Sequence, residues 1–275
     1  MESNLILIGI GLIIGTFGTL IGAGGGFILV PILILFFPQF PPEITTAISI
    51  AVVAVNSISG SVAYANSGRI DYKAGITFAA YTIPGSILGV LTVQYIPQKF
   101  FNILFGVLLM LLSVYLFFKN KNVIAKTVKF SNLKGYKNTS LRDKKGNLYE
   151  YSYKQLNGII ISVLVGFISP LLGIGGGIIH VPAMVNWLGF PVHIATATSH
   201  FILAVMATVS VITHAFSGSY NDSETITTIL YLCIGVIPGA QLGAYFSHKI
   251  KSHIIIRLLA FCLILVGIRI LSKSF

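Results

Sequence analysis

Charged residues are scarce in this sequence. Only 9% of its 275 residues are Asp, Glu, Lys or Arg, whereas a soluble domain carries about 25%. Hydrophobic residues make up 55% of the chain, and apolar runs recur at about the 20-residue length that spans a bilayer. This composition excludes a soluble domain, and the runs lack the alternation of a membrane β-barrel. We predict an all-α polytopic integral membrane protein.

Cysteines and carboxylates are few as well. Cys233 and Cys262 both lie within apolar runs, which excludes a disulfide framework. Of the seven acidic residues, none falls clearly inside a span, because Glu43, Asp222 and Glu224 belong to loops or helix ends. A carboxylate-based proton or sodium relay is therefore not expected. No Lys or Arg precedes the first apolar run, so we interpret it as a retained membrane segment rather than a signal peptide.

The positive charge is concentrated in one segment. Ten of the basic residues, against two acidic ones, lie between residues 119 and 154. Basic charge beside membrane spans marks the cytoplasmic side, so the net charge of +11 does not indicate a nucleic-acid partner. We predict a first membrane repeat at 1–118, a basic cytoplasmic loop at 119–154 and a second membrane repeat at 155–275.

The two flanking segments resemble each other. Three blocks recur in the same order at shifts of 150 to 154 residues. They are IGAGGGFILVP (21–31) with LGIGGGIIHVP (172–182), PPEITTAIS (41–49) with PVHIATATS (191–199), and PGSILG (84–89) with PGAQLG (238–243). Matched blocks in a fixed order indicate an internal duplication.

Each half consists of one long apolar run interrupted by glycines and then three plain runs. If the interrupted run crossed the membrane once, the acidic loop at 217–224 would face inward and the basic segment at 248–253 outward, against the positive-inside rule. If it folds back, the acidic loop faces outward and the basic segment inward, in agreement with the rule. The two halves are then inverted relative to each other, and both termini lie on the outer side of the cell membrane. The predicted runs are 5–37, 44–65, 74–95 and 99–118, then 155–188, 194–216, 225–246 and 253–272.

The glycine clusters mark the bends of these two re-entrant hairpins. Glycine adopts positive φ at little cost and brings bare amides close to a ligand, and the helix start that follows favours an anion. The second arms are about half a bilayer long, so two inverted tips would meet near the midplane. The alternative is close helix packing through small residues. The predicted substrate-binding residues are Gly22, Gly24, Gly25, Gly26, Phe27, Gly173, Gly175, Gly176, Gly177 and Ile178.

Polar side chains inside the spans extend the candidate site. On helix 44–65, Ser49 and Asn56 share a face with Thr45 and Ser59, and neutral donors suit an oxyanion. On the matching helix, Thr196, Ser199, His200, Ser210 and His214 cluster similarly. We add Ser49, Asn56, Ser199 and His200 to the predicted substrate-binding residues. The alternative role for each is an interhelical hydrogen bond, worth about 0.6 kcal/mol.

Histidines are the ionisable residues within the spans. His200 could donate to an anion or carry a proton, and His180 and His214 are weaker candidates for either role. His200 and His214 are separated by roughly 21 Å of helix, so they do not share a metal directly. We predict no metal and no cofactor. The sequence has no GxSxG or HExxH motif, and no Lys-Ser/Thr follows either glycine cluster, so we predict no enzyme activity and no nucleotide loop.

The paired GxGGG–VP segments, the PG-x-x-LG pair and the basic middle loop resemble the TauE/SafE sulfite exporter family. The resemblance covers the chain outside about residues 119–154. It implies a membrane transporter of sulfur-containing anions such as sulfite, sulfonates and thiosulfate, with the segments 22–27 and 173–178 touching the substrate. The expected partners are a small anion and membrane lipid, and a homodimer is left open. A passive anion channel and, less favoured, a histidine-dependent membrane enzyme are the alternatives.

Overall fold

The computed structural model describes residues 2–118, 135–247, 264 and 267–272. Five helices come first: α1 (Glu2–Ile21), α2 (Gly26–Phe36), α3 (Pro42–Ser67), α4 (Tyr72–Val93) and α5 (Gln98–Phe118). Strands β1 (Tyr136–Arg142) and β2 (Leu148–Lys154) precede α6 (Gln155–Leu172), α7 (Gly177–Asn186), α8 (Val192–Phe216) and α9 (Ser223–Phe246). Residues 267–272 are also helical, but most of the predicted span at 253–272 lies outside the described residues.

The described helices are those of a multi-pass membrane protein. Six of them, α1, α3, α4, α6, α8 and α9, are long and apolar enough to cross a bilayer. Bulky apolar side chains such as Leu88 and Leu230 lie on the outer surface of the bundle, as lipid contact requires. The prediction of a helical polytopic fold is confirmed at this level.

Both interrupted runs break at their glycines and fold back. Gly25, at the start of α2, lies against Ile14 of α1, and Leu33 further along α2 packs in the same core as Leu7. The second arm therefore returns along the first. In the second half, Gly176 lies against Val165 and Ser169 of α6 in the same way. The two short helices α2 and α7 have 11 and 10 residues.

Glycines join the long helices in two pairs. α1 packs along α9, where Gly235 faces Ile8 and Gly243 faces Thr16, so these helices run in the same direction. α4 and α6 pair similarly through Gly85, Gly89 and Gly166. The repeated PG-x-x-LG blocks thus lie at helix interfaces where an added Cβ would overlap the opposite backbone. Small residues four apart allow this close approach in membrane helices.

A β-hairpin occupies the C-terminal part of the basic loop, an element that the sequence analysis did not predict. β1 and β2 are antiparallel, with Tyr136 opposite Lys154. The turn is closed by Asp143, whose carboxylate accepts from the backbone amides of Lys145 and Asn147, each at 2.9 Å. Burial opposes ionisation of Asp143, but the hydrogen bonds from Asn147 and Lys145 and the charge of Arg69 outweigh it and lower the pKa of this carboxyl.

The hairpin is fastened to the end of the bundle where α3 meets α4. The Tyr151 hydroxyl donates to the Asp71 carboxylate at 2.7 Å, and Arg69 Nε lies 3.5 Å from Asp143 Oδ2. Burial, and secondly the negative charge of Asp71, raise the pKa of the Tyr151 phenol. The Tyr151 and Tyr153 rings pack on Phe190, which precedes α8. This end of the bundle is therefore covered by an ordered element.

We expect Tyr151→Phe to destabilise the protein by about 1.5–3 kcal/mol, the usual contribution of a hydrogen bond to a charged group. The reason is that the largely buried Asp71, which also caps α4 through the Ala74 amide at 3.1 Å, loses a donor. Unfolding by heat or SDS in detergent micelles measures the change. The control is Tyr153→Phe, a neighbouring buried ring whose hydroxyl has no hydrogen-bond partner among the described residues. Equal stability of the two variants would contradict the prediction.

Candidate functional site

The two glycine loops, residues 22–26 and 173–177, lie directly against each other. Gly26 contacts the carbonyl oxygen of Gly173, and Gly177 contacts the carbonyl oxygen of Gly22. All ten residues of these loops are buried. The approach is backbone to backbone, since a Cβ on Gly26 or Gly177 would overlap the facing carbonyl. Two segments 151 residues apart in sequence therefore form one buried unit.

The loop conformation explains why glycine is repeated. Gly22, Gly24 and Gly25 have positive φ of 80°, 77° and 87°, and Gly173, Gly175 and Gly176 have 68°, 75° and 52°. Side chains other than glycine rarely adopt this region. Each loop ends where a helix begins, at Gly26 of α2 and Gly177 of α7. Successive amides in such turns form concave, positively polarised surfaces that bind anions.

Several loop amides have no acceptor within the part of the chain that the structure describes. In the first loop and the following helix turn, these are the N–H groups of Gly25, Gly26 and Phe27. In the second loop and the helix turn that follows it, they are the N–H groups of Gly175, Gly176 and Ile178. Buried backbone donors are almost always paired in folded proteins. Six donors beside one contact therefore form a group able to bind a negatively charged or strongly accepting ligand.

The predicted polar residues lie at these loops, but the two serine hydroxyls and one N–H of Asn56 are already used. Ser49 Oγ donates to the Gly173 carbonyl at 2.6 Å, and Ser199 Oγ to the Gly22 carbonyl at 3.4 Å. Asn56 Nδ2 donates to the Gly24 carbonyl at 2.8 Å, and its oxygen accepts from Thr19 Oγ1 at 2.9 Å. These side chains position the loops. Their predicted contact with substrate stays a prediction.

Two hydroxyls beside the loops were missed by the sequence analysis. Ser57 Oγ lies next to Gly24, and Ser169 Oγ next to Gly176. Both side chains are buried, and neither oxygen has a hydrogen-bond partner among the described residues. Ser57 lies eight residues after Ser49, hence on the same helix face, which is a usable signal. Ser59, which the sequence places on the face of Asn56, instead donates to the Ile237 carbonyl at 3.1 Å.

The three buried histidines occupy separate places. His200 Nε2 lies 3.2 Å from Thr19 Oγ1 at the first glycine loop. His180 Nε2 is 3.4 Å from Ser162 Oγ between α7 and α6, and His214 Nδ1 is 3.1 Å from Ser219 Oγ near the end of α8. The described residues contain no group of three or more His, Cys, Asp or Glu side chains able to hold a metal ion. Of the three histidines, only His200 lies at the glycine loops.

The fold is that of a polytopic helical membrane protein with two contacting, buried glycine loops. Comparison with known proteins gives its family. The model of the family described as sulfite exporter TauE/SafE matches residues 7–270. The chain belongs to the TauE/SafE family, a family of membrane transporters. No solved structure matches it.

Relatives cover nearly the whole chain. The probable membrane transporter protein YunE of Bacillus subtilis is 34% identical over 282 residues, covering 99% of this chain and 98% of the relative. A probable membrane transporter protein of Methanocaldococcus jannaschii is 28% identical, covering 90% of this chain and 87% of the relative. Sulfite exporter TauE/SafE family protein 6 of Arabidopsis thaliana is 27% identical over 42% of this chain and 26% of its own length.

The contact between the loops predicts a strong effect of one added methyl group. Gly177→Ala must displace the Gly22 carbonyl, so we expect it to destabilise the protein by about 1–3 kcal/mol, as overpacking does. Gly9→Ala is the matched control, since a Cβ there meets nothing within 4 Å. Thermal unfolding in detergent measures both variants. Equal unfolding temperatures for the two would contradict a close approach of the loops.

Proposed function

We propose that the protein carries small sulfur-containing anions of the sulfite, sulfonate or thiosulfate type across the cell membrane. The observation that carries this proposal is the group of buried amide donors at the two contacting glycine loops. A helix start supplies partial positive charge without a charged side chain, and charge-assisted hydrogen bonds are stronger than neutral ones. The unpartnered hydroxyls of Ser57 and Ser169 add two neutral donors beside the same loops.

The choice of a sulfur anion is supported by the family description and by the donor set. The matching family model is described as a sulfite exporter, and the Arabidopsis relative carries the same words in its name. A sulfur oxyanion offers several oxygen acceptors around one centre, which suits donors arriving from two loops. Among the described residues, the side chains nearest the loop glycines are uncharged. Hence the substrate can be held by hydrogen bonds and released without breaking an ion pair.

We further propose that the two halves are inverted repeats that work by alternating access. The support is the equivalent packing of α1 on α9 and of α4 on α6, together with the exchange of contacts between the two glycine loops. Loops buried on all sides suit a carrier that exposes its site only after one half rearranges against the other. The proposed divisions remain 1–118, 119–154 and 155–275, with the basic segment in the cytoplasm and both termini outside.

The first test is transport by the protein in liposomes on a solid-supported membrane. We expect saturating currents on addition of sulfite, thiosulfate or a short sulfonate, and their loss in a Gly25→Ala/Gly176→Ala double variant. Both positions have positive φ, so alanine would distort the turns that present the amides. Gly9→Ala is the control. Currents that never saturate would indicate a channel, and no response to any anion would overturn the proposed site.

A second test concerns the hydroxyl groups at the loops. We expect Ser169→Ala to raise the half-saturating anion concentration about tenfold, the equivalent of one lost hydrogen bond to a charged ligand. The control is Ser86→Ala. Ser86 is also buried, but its hydroxyl already donates to the Ile83 carbonyl at 2.8 Å within α4. An unchanged half-saturating concentration in Ser169→Ala would remove this hydroxyl from the site.

A further inference from the structure

A chain of three polar side chains joins the end of α8 to the start of α3, at the end of the bundle opposite the β-hairpin. His214 Nδ1 lies 3.1 Å from Ser219 Oγ, and Ser219 Oγ donates to Glu43 Oε1 at 2.7 Å. Ser219 belongs to the loop between α8 and α9, and Glu43 lies in the first turn of α3. His214 and Ser219 are almost completely buried. The chain therefore links the two halves of the protein.

The direction of the hydrogen bonds fixes the state of the histidine. The single hydroxyl hydrogen of Ser219 points to Glu43, so Ser219 Oγ can only accept from His214, and His214 carries its hydrogen on Nδ1. Nε2 then has a free lone pair. It is buried and has no hydrogen-bond partner among the described residues. His214 thus presents a ring nitrogen with a free lone pair inside the protein and is connected on its other side to a carboxylate.

The polar groups in contact with this imidazole include no positive side chain among the described residues. From the adjoining loop, the Tyr220 ring lies 6.2 Å from the His214 ring and its hydroxyl donates to the Ala47 carbonyl at 3.0 Å. The carboxylates at the start of α9 are engaged elsewhere: Asp222 accepts from the Thr225 amide, and Glu224 lies 3.4 Å from Gln39 Nε2. The ionisable side chains in contact with His214 or Ser219 are therefore the Tyr220 phenol and the Glu43 carboxylate. No Lys or Arg of the described residues takes part in these contacts.

We propose that His214, with Ser219 and Glu43, is a proton-binding site that couples a proton to anion transport. Nε2 accepts the proton, and the resulting imidazolium keeps its Nδ1–H bond to Ser219. The Glu43 carboxylate, to which Ser219 donates, balances the positive charge. No other bond forms or breaks. This inference rests on the transport function proposed above. It also revises the sequence-based expectation that no carboxylate takes part in a relay, since Glu43 lies at a helix end and acts through a serine.

Helix α3 connects this site to the glycine loops. Glu43 and Ser49 are six residues apart on α3, about 9 Å along its axis. Ser49 donates to the Gly173 carbonyl at 2.6 Å, and Tyr220 binds the Ala47 carbonyl between these two positions. A charge that appears on His214 strengthens the connection between the α8–α9 loop and the start of α3. Proton uptake thereby stabilises the position of α3, on which the bond from Ser49 to the second glycine loop depends.

The test separates exchange of the anion from its accumulation. Proteoliposomes with the membrane potential clamped at zero are given thiosulfate as the probe, first at equal pH for exchange and then with a gradient of one pH unit. For one proton per anion, the gradient accumulates the anion up to about tenfold in the wild type. We expect His214→Gln and Glu43→Gln to keep exchange and lose this accumulation. The controls are His193→Gln and Glu224→Gln, which change exposed residues of the same types.

Each outcome decides the proposal. Accumulation in His214→Gln and Glu43→Gln at the level of the controls would overturn the proton site, as would wild-type exchange without any gradient-driven accumulation. Failure of exchange in the wild type with sulfite, thiosulfate and sulfonate alike would overturn the transport function, and this inference with it. Ser219→Ala is the second variant, in case the others do not fold. It leaves both ionisable groups in place, and we expect the pH of half-maximal uptake to fall because Glu43 no longer stabilises the imidazolium.

Discussion

The structure depends on the mutual contact of the two glycine loops. Gly26 against Gly173 and Gly177 against Gly22 bring two turns together with no side chain between them. Because the contact is made by backbone, it brings the starts of α2 and α7 side by side between the helices α3 and α8. The same absence of side chains leaves amide donors beside the contact. The close packing of the loops and the proposed binding of an anion therefore depend on the same residues.

The two halves fasten their loops unequally. Asn56 holds the Gly24 carbonyl, and the Tyr64 hydroxyl holds the Thr19 carbonyl at 2.8 Å at the end of α1. At the shift of 150 residues that aligns the second repeat, these positions are occupied by Met206 and His214. Methionine cannot replace the amide donor, and His214 is instead bonded to Ser219. The second hairpin therefore has fewer polar connections than the first, and duplicated positions have taken different roles.

Much of the fold follows from the sequence, because the lengths of the apolar runs and the positions of the glycines determine where membrane helices begin and end. The breaks after Ile21 and Leu172 and the return of the second arms are examples. The hairpin was missed because the positive charge of its segment dominated the interpretation, although Tyr149, Tyr151 and Tyr153 alternate as a strand requires. Sequence also identified the loops but not the free hydroxyls. Ser59 follows Asn56 by three residues and Ser57 follows Ser49 by eight, so spacing alone does not separate them. The partner helix decides which of them is already bonded.

Helix α3 is held at three levels, and this limits which part of the protein can move. At one end the Lys144 amide of the hairpin donates to the Ser67 carbonyl at 3.1 Å, and at the other Ser219 binds Glu43. Between them, Ser49 and Asn56 hold one glycine loop each. A rearrangement that moved α3 as a whole would break all of these bonds together. Motion of the helical hairpin α6–α7 against α3 breaks fewer hydrogen bonds. The bond that it must stretch is the one from Ser49 to the Gly173 carbonyl. We therefore expect α3 to be the fixed element and α6–α7 the moving one.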